Sequence, residues 1–162
     1  MAIRMSNFSS KQVWQTGIMR SWLAAGVVAL LLAAGCSLGK GNVFSLSVGD
    51  CFNGDAVTYE PIVATDVDVV SCSELHMYEV YHRFELTGSS WPGESSVIGR
   101  SEQGCLTGFA PFVGIEYDYS EWYIQYSHPL EDSWNKVDDR KVTCFLGLEY
   151  EQTTGSARGT RR

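Results

Sequence analysis

The sequence predicts an α+β domain: a mostly antiparallel sheet carrying one main helix and one short helix, stapled by disulfides. Three observations lead there. Apolar and polar residues alternate from His76 to Leu86, from Glu121 to His128 and from Arg140 to Gly147, the period of a strand. Ile98, Glu102, Cys105, Leu106, Phe109 and Phe112 recur at spacings of three and four, the period of a helix. Cys51, Cys72, Cys105 and Cys144 form an even set in a chain that opens on an export-type segment.

That segment spans residues 1–35. Arg4, Lys11 and Arg20 precede an uncharged run from Trp22 to Ala34, a basic region followed by an apolar one with a small-residue exit. As a helix the run covers roughly 20 Å, short of the ~30 Å a bilayer core needs. The exit, Leu32-Ala33-Ala34-Gly35-Cys36, resembles a bacterial lipobox, with Ala33 where a larger branched residue is usual. That resemblance implies cleavage and lipidation at Cys36. An uncleaved signal anchor is the rival, and free secretion the third option. Several acyl chains at ~0.8 kcal/mol per buried CH₂ would anchor the chain stably. A short linker, residues 36–43, would hold the domain (44–148) close to the extracytoplasmic face of the membrane.

Within the domain, Phe44 to Val48 alternates with serine and predicts a strand, turned by Gly49-Asp50; Val67 to Cys72 predicts another. The clearest strand runs from residue 76 to 86. His76, Tyr78, Val80, His82, Phe84 and Leu86 would face one way, and Met77, Glu79, Tyr81, Arg83 and Glu85 the other. Ser95 or Ser96 would cap the main helix. Gly99, Gly104 and Gly108 would weaken it, and Pro111 would end or kink it. Pro129 would open a short helix through Trp134, with Glu131 and Asp132 at its positive end. In the last strand Val142, Cys144 and Leu146 share a face. The polar tail, residues 149–162, would either fray or add an edge strand.

The gaps between the four cysteines, 21, 33 and 39 residues, favour disulfides over zinc, which prefers close pairs. Three connectivities are open. Cys51–Cys72 with Cys105–Cys144 is preferred, because sequential elements are usually neighbours. Charge narrows the function. Of 12 basic residues three lie before Cys36, leaving nine against all 19 acids, a net charge of −10 from there onward. Such a surface repels phosphate backbones and anionic headgroups, so nucleic acid is excluded as a partner. Solubility alone also accounts for the acidity.

An ordered set of motifs carries a family resemblance: Gly49-Asp50-Cys51, Cys72 to Val80, Pro92-Gly93, Gly104-Cys105, Ser133-Trp134 and Val142-Thr143-Cys144. The chain resembles the septum-formation family of actinobacterial envelope proteins over most of residues 44–147, with Leu75 where the family usually has proline before the histidine. The resemblance implies a membrane-attached domain with paired cysteines, associated with envelope growth or cell division, and no established catalytic residues.

Chemistry is sparse. His76, Glu79 and His82 would share a helix face as metal ligands, but on a strand Glu79 points away from both histidines. A structural role for His76 and Glu79, bonding turn backbone groups, is the simpler reading. No metal or cofactor is expected. No nucleophile elbow or phosphate loop is present. Trp91, Trp122, Tyr126, Trp134 and Tyr117 read as core or recognition residues, and Tyr119 and Tyr123 as the surface candidates. The expected function is a non-enzymatic, membrane-tethered interaction module of the envelope, its partners envelope or division proteins. The alternatives are a carbohydrate or cell-wall glycan module using exposed aromatics and, further off, a metal-dependent hydrolase around His76 and His82.

Overall fold

The computed structural model describes residues 39–54 and 66–162. The expected signal segment, Cys36 and the start of the linker lie outside the described residues. Among those described, no helix is long and apolar enough to cross a membrane. Six strands form one sheet: β1 (Lys40–Asn42), β2 (Cys51–Asn53), β3 (Asp66–Val70), β4 (Tyr78–Glu85), β5 (Tyr123–Ser127) and β6 (Lys141–Gly147). Their order across the sheet is β1-β3-β2-β4-β6-β5, and every neighbouring pair is antiparallel. The long helix α1 (Glu94–Val113) covers one face, and the short helix α2 (Glu131–Val137) joins β5 to β6. The fold class is as the sequence predicts. Both bridges of the preferred pairing are present, Cys51–Cys72 within the β2–β3 region and Cys105–Cys144 from α1 to β6.

Residues 44–48 depart from expectation. A single 3-10 turn, Val43–Ser45, replaces the strand, and the chain pairs one step earlier as β1, inside the expected linker. The side chain of Asn42 is the cause. Its Oδ1 accepts the Phe44 N–H at 2.9 Å, while the Ser45 hydroxyl donates to the Asn42 carbonyl at 2.7 Å. Such local side-chain bonds compete with a ladder. Val43 and Leu46, three apart, are the residues buried against the sheet.

The central strand is also altered. A bulge at Tyr81 separates the pairs Val80↔Phe145 and His82↔Cys144. One extra residue reverses the facing of everything after it. Tyr78 and Val80 therefore join Phe52 and Phe145 in the core opposite α1, with ring centroids of Phe52, Tyr78 and Phe145 5.3–5.5 Å apart. His82, Phe84 and Leu86, expected on that same face, lie instead beneath α1, along with Tyr81.

Helix α1 accommodates them through its small residues. Its N-cap is Gly93 at φ 91°, without a side-chain cap, so neither Ser95 nor Ser96 serves as predicted. The buried stripe is Val97, Ser101, Cys105, Phe109, Phe112 and Val113, displaced from the expected one so that Leu106 is exposed. Gly104 and Gly108 sit over β4, where an added Cβ would overlap the Phe84 ring and the His82 side chain respectively. Pro111 does not end the helix, which runs two residues further to Gly114 in left-handed conformation. Gly108→Ala should destabilise the protein by roughly 1–3 kcal/mol through overpacking, against a helix-propensity gain of at most ~1 kcal/mol. The check is the urea midpoint, which falls if close approach governs and rises if propensity does.

The C-terminal segment is neither frayed nor a simple edge strand. Thr153 bridges to His76, and Gly155 N–H donates to the Cys72 carbonyl. Gly159 and Arg161 N–H groups donate to the Phe112 and Val113 carbonyls at 2.8 and 2.9 Å, satisfying the end of α1. Ala157, 1% exposed, is part of the core beneath α1.

Candidate interaction surface

The sites expected to carry chemistry resolve into structural roles. His76 is buried just before β4, its Nδ1 2.9 Å from the Glu74 carbonyl. Glu79, 2% exposed, accepts the Ser156 hydroxyl on Oε1 at 2.6 Å and the Ala157 N–H on Oε2 at 2.7 Å. Both residues thus hold the C-terminal segment, one by backbone and one by carboxylate. His82 lies past the bulge, stacked on Phe84 with centroids 5.5 Å apart. Among the described residues, His76, Glu79 and His82 do not converge. The one grouping of potential metal ligands there is Cys51, Cys72 and Glu79, whose two sulfurs are bonded to each other and offer no thiolate.

The aromatic residues divide sharply. Trp122 and Trp134 are core. Arg140 lies 3.7 Å over the Trp134 ring, and Trp91 meets it edge-on at 5.6 Å. Tyr117 packs edge-on against Phe109. Tyr126, half-buried on the α1 face, donates to Glu102, and burial followed by that carboxylate pushes its phenol up to about 12. Three tyrosines are strongly exposed: Tyr119 (78% exposed), Tyr123 (46%) and Tyr150 (92%), and Tyr150 lies near enough to Tyr123 to act on its charge.

These three are positioned by different devices. Tyr119 ends a 3-10 turn, Tyr117–Tyr119, whose half-buried Tyr117 packs against the core. Tyr123 begins β5, the edge strand, on the face away from α1, and its hydroxyl donates to Glu149 Oε2 at 3.0 Å. That bond, then the Glu149 charge, raises the Tyr123 phenol above its ordinary range, and the neighbouring Tyr117 and Tyr150 add to the effect. Tyr150 lies in the two-residue turn closed by the Leu148↔Glu151 bridge and has φ 60°. That turn position suits Gly or Asn. A tyrosine there carries a backbone cost on the order of 1 kcal/mol or more, and among the described residues its side chain makes no hydrogen bond or ring contact in return. The sequence signals for Tyr119 and Tyr123 were strand facing and loop placement. Tyr150 carried no such signal, because a turn conformation at a tyrosine is invisible in residue type.

Tyr123, Glu149 and Tyr150 together make an exposed patch of phenols and a carboxylate, suited to binding. Tyrosine supplies contact area at low entropic cost and a hydroxyl for hydrogen bonding. Comparisons with known proteins agree on the setting. The septum-formation family model matches residues 45–161, which takes in the C-terminal segment. Two curated relatives, each named "Putative lipoprotein LppN", come from Mycobacterium tuberculosis and Mycobacterium bovis. Each is 26% identical over 117 residues, covering 70% of this chain but 63% of the relative's own length. No solved structure matches. With most of the described domain inside the family match, the chain belongs to the septum-formation family.

Proposed function

We propose that this chain is a non-catalytic interaction module, tethered to the extracytoplasmic face of the membrane through Cys36 and acting in envelope growth or septum formation. It engages a partner protein of the envelope or division machinery through Tyr119, Tyr123 and Tyr150. The observation that carries the reading is Tyr150, an almost fully exposed aromatic held in a left-handed turn, with no side-chain hydrogen bond or ring contact among the described residues. Strain retained at an exposed residue marks a functional position. Support for the setting comes from family membership, the name of the mycobacterial relatives, the lipobox-like exit and the two disulfides, which belong to an oxidising compartment.

Tyr150→Gly separates function from stability. It relieves the turn and should leave stability unchanged or raise it by up to about 1 kcal/mol. In the native host, a photo-crosslinker at position 151 should trap a specific protein with the wild-type surface. With Tyr119→Ser and Tyr150→Gly together the adduct should be lost, with septa misplaced or delayed. Undiminished adducts and normal septa in a strain carrying only that variant would reject this surface. A second reading, a module for cell-wall glycan, is favoured by Tyr123, whose exposed ring lies beside the Glu149 carboxylate. Cosedimentation with purified peptidoglycan, abolished by Tyr119→Ala with Tyr123→Ala, would select it.

A further inference from the structure

A second surface feature is independent of the tyrosines. A groove of about 280 Å³ lies between α1 and β4, with Tyr81, His82, Gly108, Pro111, Phe112 and Arg158 among its lining residues. The bulge at Tyr81 turns His82 under α1, and the missing Cβ of Gly108 leaves room for it. Burial lowers the His82 pKa, so at neutral pH the ring is uncharged, with one N–H donor and one acceptor. Among the described residues neither nitrogen has a hydrogen-bond partner.

Arg158 closes the groove. Its guanidinium lies over the Phe112 ring at 4.2 Å and makes no ion pair or hydrogen bond with the described residues. Arg83, Arg100, Arg140 and Arg162 all donate guanidinium N–H groups to protein acceptors. The placement of Arg158 is fixed on both sides. Its backbone N–H donates to the Ser156 hydroxyl, itself bound to Glu79, and the backbone N–H of Gly159 donates to the Phe112 carbonyl. Among the described residues no carboxylate lines the groove, although this part of the chain is strongly acidic. A planar guanidinium held on an aromatic face presents its N–H fork to a carboxylate and binds it bidentately.

We propose that this groove binds the carboxylate of a small acid or of a peptide C-terminus, with Arg158 as the bidentate donor and His82 as the second polar contact. The volume suits a ligand of one or two residues, below drug size. The test uses the full-length chain in nanodiscs, labelled with ¹⁵N-arginine and ¹⁵N-histidine, titrated with N-acetylalanine, N-acetyl-Ala-Ala, N-acetylalaninamide and inorganic phosphate. The expected result is saturable shifts of Arg158 and His82 with both carboxylates and none with the amide. The tighter carboxylate then distinguishes peptide from small acid. Arg158→Gln should weaken binding on the order of tenfold or more while lowering the melting temperature by no more than about 5 °C, the loss of one exposed cation–π contact, and His82→Gln should weaken it less. Equal shifts with the amide, no shifts with either acid, or phosphate binding as tightly as carboxylate would overturn the assignment.

Discussion

Glu79→Gln should release the C-terminal segment from the domain. The native carboxylate accepts from Ser156 Oγ and Ala157 N–H while almost wholly buried. In the amide, one of the two positions becomes a donor. Either it faces the Ala157 N–H, donor to donor, or it faces the hydroxyl and forces that to turn. A charge-assisted bond is lost and a buried polar group is left unpaired, costing on the order of 3 kcal/mol. The amides of Ala157, Gly159 and Arg161 should then exchange hydrogen at least tenfold faster while those of β6 exchange as before, because the loss begins locally. Unchanged exchange at these amides would mean that Glu79 does not anchor the segment. Glu79→Asp, one methylene shorter, should fall between the two.

Removing the Cys105–Cys144 bridge should be costlier still. It closes a loop of 39 residues, for which chain entropy predicts about 4 kcal/mol, against about 3 kcal/mol for the 21-residue loop of Cys51–Cys72. It also ties α1 to β6, through the middle of the larger core. Cys105→Ala with Cys144→Ala should lower the melting temperature by roughly 10–20 °C, and exchange should quicken across α1 first. A change of only a degree or two would show that packing alone holds the helix to the sheet. The other bridge closes the shorter loop and lies beside Glu79, in neither core cluster, so Cys51→Ala with Cys72→Ala should give a smaller loss.

The elements legible in the sequence are those whose period survives unbroken. In β6, Val142, Cys144 and Leu146 do share the face under α1, and the bridge from Cys105 follows from two periodic elements meeting there. β4 carries an equally regular alternation, yet the pattern breaks within it. Every second residue from 76 to 86 is apolar or aromatic, and Met77 and Tyr81 put bulky side chains on the other face too, so nothing in residue type marks Tyr81 as the extra residue. The same ambiguity hid the groove, since His82 reaches α1 only through that bulge. Gly104 and Gly108 read as weak helix formers, whereas their value lies in a tertiary contact that propensity cannot express. The C-terminal segment has almost no hydrophobic pattern. It is held by backbone donors and one distant carboxylate 78 residues away in sequence, a contact without a local signature. Of the surface, Tyr119 and Tyr123 were legible from their polar surroundings, and Tyr150 was not, because its claim rests on a backbone angle.

The two disulfides fit the proposed extracytoplasmic location, beyond a bilayer and where thiols oxidise. The most direct test is intact mass measurement of the protein from its native host, acid-quenched and alkylated without reductant. The proposed tethered lipoprotein predicts that Cys51, Cys72, Cys105 and Cys144 stay unalkylated and that the polypeptide begins at an acylated Cys36. Four alkylated cysteines on a chain still carrying residues 1–35 would contradict it.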